Sequence, residues 1–82
     1  MQNYKKIEIE VIGRFNKNGL FFPMSIIWFD GKIYPVDNFL KVERRAATKV
    51  GGTGMRYKVV IEGKEKNLFR EEDRWFVEAK AD

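Results

Sequence analysis

The sequence predicts an all-β chain, a small antiparallel meander of six or seven short strands closing into a barrel-like or strongly curled sheet. Three observations carry this. Apolar and polar residues alternate with period two through Ile7–Val11 and again through Met55–Ile61. Turn-forming residues interrupt the chain at short intervals, and the runs between them suit strands better than helices. The 82 residues are 44% apolar and 15% aromatic, enough for one core and one domain spanning 1–82. Closure also removes the open edges that a flat sheet would have to protect.

The elements follow in order. Ile7, Ile9 and Val11 face one way and Glu8 and Glu10 the other, a half-buried strand that continues to Phe15, with Gly13 permitting a bulge. Asn16-Lys17-Asn18-Gly19 is a hairpin loop, because Asn and Gly tolerate the positive φ of tight turns. The next strand, about Leu20–Phe29, contains Pro23, which cannot donate to a ladder and so marks an edge or a bulge. Asp30-Gly31 turns the chain into Lys32–Val36. Further on, Met55–Glu62 alternates, Gly63-Lys64 turns into Asn67–Phe69, and Glu71-Glu72-Asp73 turns into Trp75–Val77.

The segment 37–50 has two readings. As a helix over about 38–50 it has an Asp37 N-cap, apolar Phe39, Val42, Ala46 and Val50, and Gly51-Gly52 as a stop, which would make the fold α+β. As a strand, Leu40, Val42, Ala46 and Val50 share a side and the segment supplies a partner for 55–62. The expected core is Ile7, Ile9, Val11, Ile26, Trp28, Tyr34, Val42, Tyr57, Val59, Ile61, Leu68, Trp75 and Val77.

Cysteine and histidine are both absent. That excludes disulfides, thiolate nucleophiles, the usual zinc ligands and imidazole catalysis. Glu8 and Glu10 share a strand face at roughly 6–7 Å by strand rise, and Glu71-Glu72-Asp73 is acidic, but a solvated face and a turn account for them. The expectation is a protein that is not an enzyme, with no cofactor and no metal. The N-terminus lacks the apolar run of a signal peptide, and the longest uncharged stretch, Leu20–Phe29, is far short of the roughly 18 residues a spanning helix needs. A cytoplasmic location without membrane association is expected.

Three features could carry function. Lys41, Arg44, Arg45, Lys49, Arg56 and Lys58 place six positive charges between residues 41 and 58, opposed only by Glu43. That local excess of +5 exceeds the +4 of the whole chain, as a footprint for nucleic acid or an acidic protein should. On paired strands, Lys41, Arg45 and Lys49 could share an outer face with Arg56 and Lys58 and track a phosphate backbone; an ordinary solvated strand face explains the same charges. Gly51-Gly52-Thr53-Gly54 could form an anion nest, with Gly52 and Thr53 at its centre, or a plain connecting loop. Aromatic residues occupy both strand faces, since Trp28 and Phe29 point opposite ways, as do Trp75 and Phe76. Phe22, Phe29 and Phe76 are therefore candidate interface aromatics, for a protein partner or a weak homodimer, with core burial and nucleobase stacking as the alternatives.

The order Ile26-Ile27-Trp28, Asp30-Gly31, Tyr34, Val36, then Gly54, Arg56-Tyr57, Leu68-Phe69 and Arg74-Trp75-Phe76-Val77-Glu78 resembles short uncharacterised bacterial proteins, mainly from Firmicutes, with a Trp-Asp-Gly, Arg-Tyr, Trp-Phe layout. More loosely, it is similar to a small β domain encoded beside lesion-bypass DNA polymerases in actinobacteria. The likeness covers about residues 7–79, mostly turn and core positions. It implies a small β-barrel-like domain and an accessory role in DNA handling, and carries over no catalytic residue.

Overall fold

The computed structural model describes residues 3–44 and 54–81. Among them are seven antiparallel strands and no helix: β1 (Asn3–Phe15), β2 (Phe21–Ile27), β3 (Ile33–Pro35), β4 (Asn38–Arg44), β5 (Met55–Ile61), β6 (Lys64–Glu71) and β7 (Arg74–Ala81). They form one strongly curled half-barrel sheet in the order β3-β2-β1-β7-β6-β5-β4.

The curl originates in β1. Its first half, Asn3 to Ile9, pairs with β7, and its second half, Glu10 to Phe15, pairs with β2. One strand thus belongs to two parts of the sheet and turns the corner between them. A second corner lies between β3 and β4. There the Val36 N–H donates to the Met24 carbonyl of β2, and the next N–H, of Asp37, donates to the Val60 carbonyl of β5. The two outermost strands are consecutive in the chain, so the sheet bends until its ends approach.

Pro23 sits at a bulge, not an edge. The β1–β2 register shifts between Ile12 and Gly13, where Gly13 faces Pro23. A Cβ on Gly13 would strike the Phe22 carbonyl and the Phe21 ring, so only glycine lets the bulge close.

The helix over 38–50 is overturned for residues 38–44, which are β4; the rest of that segment lies outside the described residues. Phe39 pairs with Val59 and Val42 with Tyr57, with a register shift between Phe39 and Lys41. That irregularity brings Phe39 and Val42, three apart, onto the same inner face and leaves Leu40 exposed.

Ile9, Ile26, Tyr57, Val59, Ile61 and Leu68 are buried on the concave face, with Val11, Trp28, Tyr34, Val42, Trp75 and Val77 packed against them. Of the expected core, Ile7 alone falls outside this cluster; it is half-buried. Phe21, Val36, Phe39 and Met55 join unannounced. Phe21 closes one end of the half-barrel, its ring 5.5 Å from Trp75 and 6.3 Å from Tyr57. The Arg70 guanidinium covers that end, 5.8 Å from the Phe21 centroid and 5.7 Å from that of Trp75.

Candidate binding groove at the parting of β6 and β7

The end opposite Phe21 and Trp75 is open. β6 and β7 each run eight residues, yet their shared ladder holds only the pairs Phe69–Phe76, Arg70–Trp75 and Glu71–Arg74. Beyond Phe69, β6 stays with β5 as far as Lys64; beyond Phe76, β7 stays with β1 as far as Ala81. The two strands part, and a groove of about 630 Å³ opens between them into the concave interior.

Its walls are the diverging strands themselves, Glu65–Phe69 on one side and Val77–Ala79 on the other. Its floor comes from the inner face of the sheet, Ile26, Trp28 and Tyr34 with Ile61, while Tyr4, two residues from Lys6 on β1, lies at the mouth. Leu68 and Val77 belong to the inner face, in contact with the core. Glu78 opposes Lys6, and Glu65 lies 3.7 Å from Lys58, so these two carboxylates stand on the outer face. Glu62 adds a third carboxylate around the opening, while Lys66, opposite Val59 of the core, belongs to the inner-facing set. The arrangement is an aromatic-floored slot with carboxylates at its mouth. Among the described residues no group of His, Cys, Asp or Glu is placed to hold a metal ion.

The basic residues are dispersed. Lys41 opposes Lys58 and Glu43 opposes Arg56 across the β4–β5 ladder, so Lys41, Arg56 and Lys58 do share the outer face. Carboxylates sit among them. The Arg56 guanidinium donates to Glu43, Lys41 Nζ is 3.9 Å from the same carboxylate, and Lys58 Nζ is 3.7 Å from Glu65. Arg44 opposes Met55, a residue packed on the core, so it belongs to the inner-facing set and stands apart from the other three. Arg45, Lys49, Gly52 and Thr53 lie outside the described residues. Of the glycine-rich loop only Gly54 is described, and its role there is steric. It adopts φ +139°, and a Cβ would collide with the Arg70 carbonyl.

The three candidate aromatics have three different fates. Phe29 is 72% exposed, its ring 5.4 Å from Trp28. Phe22 is half-buried, edge-on to Phe39 at 5.1 Å with Arg14 over its face, and so bridges β2 to β4. Phe76 is buried. It is 3% exposed and stacks on Phe69 at 5.4 Å, while Lys6 Nζ lies 4.5 Å over its ring and reaches Glu71 at 2.7 Å. Its strand position is outward, but a neighbouring aromatic and a cation cover it.

The groove has no local signature in the sequence. Tyr34, Trp28 and Leu68 read as core, and the opening arises where two ladders cease to coincide. No family model matches the chain, and no curated protein or solved structure matches it either.

Proposed function

We propose that this protein is a non-enzymatic interaction module that receives a segment of a partner protein in the groove between β6 and β7. The observation that carries the reading is the groove itself: an aromatic floor of Trp28 and Tyr34 left open where the sheet parts, beside the buried cluster of Ile9, Ile26, Tyr57, Val59, Ile61 and Leu68. Concave, apolar sites with a few polar groups at the rim are where proteins hold ligands. A photo-crosslinking amino acid at Asn67, on the groove wall, is expected to capture a discrete partner from cells. The same group at exposed Leu40, away from the groove, is expected to capture none. Equal capture at both positions, or at neither, overturns the reading.

One observation favours nucleic acid as a second reading. Lys41 and Lys58 are direct cross-strand partners on the outer face they share with Arg56, three cations beside the two carboxylates of Glu43 and Glu65. Replacing both by Gln is then expected to weaken binding of a single-stranded oligonucleotide and to flatten its salt dependence. Oligonucleotide binding that is indifferent to salt would remove this reading.

A further inference from the structure

The alternation of the flanking strands specifies the occupant more closely than the groove's volume does. The Asp37 N–H bonds the Val60 carbonyl, so Val60 turns its backbone groups toward β4, and its neighbours Val59 and Ile61 turn theirs toward β6. In register, Lys64, Lys66 and Leu68 of β6 answer β5, while Glu65 and Asn67 direct N–H and C=O toward β7. Past Phe76, no β7 residue meets them in the ladder. The groove is therefore flanked by a hydrogen-bonding strand edge as well as by apolar side chains. Edges of this kind accept an added strand.

Side-chain direction follows the same alternation. A strand lying along β6 here would send every second side chain inward, toward Leu68, Val77 and the floor of Trp28 and Tyr34. The intervening side chains would point outward, beside Glu65 and Glu78. Glu65 and Glu78 lie beside Lys58 and Lys6, and a basic residue on the occupant joins each carboxylate as a second cation.

We propose that the groove binds an extended peptide segment of a partner protein, about four or five residues long, that pairs with β6 and alternates apolar residues with Lys or Arg. The proposal rests on the groove being the binding surface and adds to it the conformation and sequence pattern of what binds.

The test uses the full chain and a random heptapeptide library displayed on phage. Recovered peptides are expected to alternate apolar with basic residues and to shift the Trp28 indole resonance. They should slow exchange of the Glu65 and Asn67 amides at least tenfold. N-methylation of alternate amides in such a peptide is expected to abolish that protection. Replacing Asn67 by Pro removes an N–H on the β7 side of β6 and should weaken binding at least tenfold, while Leu40→Ala, at an exposed position away from the groove, should not. Peptides that shift Trp28 without alternating, or without protecting Glu65 and Asn67, overturn strand addition and leave the groove reading standing. A library that yields nothing able to shift Trp28 overturns both.

Discussion

Arg56 and Glu43 are register partners across the β4–β5 ladder, and the guanidinium donates to the carboxylate there. The Arg56 side chain is only 17% exposed, and its Nε is buried with no hydrogen-bond partner. A cation so placed holds two strands together. Replacing Glu43 by Ala strands this charge in a half-buried site, and the expected loss is about 1–3 kcal/mol. Urea unfolding of Glu43→Ala, Arg56→Met and the double variant checks it. The double variant should be less destabilised than the sum of the two single ones.

Phe76 and Phe29 were both candidates for an interface, and their burial separates them. Truncating Phe76 removes a ring stacked on Phe69 beneath the Lys6 ammonium, so Phe76→Ala is expected to cost about 3–5 kcal/mol. Phe29→Ala removes an exposed ring and should lie within about 0.5 kcal/mol of the parent. Denaturation midpoints of the two variants measured side by side decide this.

These two aromatics show where the sequence is legible. Period-two alternation places Trp75 inward and Phe76 outward correctly, because that depends only on the strand's own geometry. Whether an outward ring is covered depends on Phe69 and Lys6, which reach it from other strands. The 38–44 ambiguity has a similar origin. A register irregularity puts Phe39 and Val42 on one face at the spacing of a helical turn, so the pattern along the chain imitates a helix. The groove is the extreme case. It exists because β6 follows β5 and β7 follows β1, and no single segment records where their common ladder ends.

Gly54 supports the β5 entry by close approach. At φ +139° with the Arg70 carbonyl where a Cβ would lie, it can be replaced only by moving β5 against β6. Gly54→Ala is expected to lose about 1–3 kcal/mol from backbone strain and crowding together. Gly19→Ala is the control. It has φ +84° but nothing within 4 Å of its Cβ position, so it should lose less. Thermal unfolding of the pair distinguishes crowding from the left-handed backbone alone.

Arg70 closes the end of the half-barrel away from the groove, and its geometry assigns it two tasks. Its guanidinium faces both Phe21 and Trp75, and its Nε donates to the Glu72 carbonyl at 2.8 Å, steadying a turn in which Glu72 holds φ 57°. Arg70→Ala should lose about 1–2 kcal/mol, from cation–π attraction and one hydrogen bond. Arg70→Lys keeps the charge but not the planar fork that serves ring face and carbonyl together, so it should recover less than half of the loss. Trp75 reports the change directly: its indole resonance should move in both variants, whereas that of Trp28, at the groove end, should not. A Trp28 shift as large as that of Trp75 would mean that the two ends of the half-barrel are coupled through the core and that Arg70 acts on more than its own end.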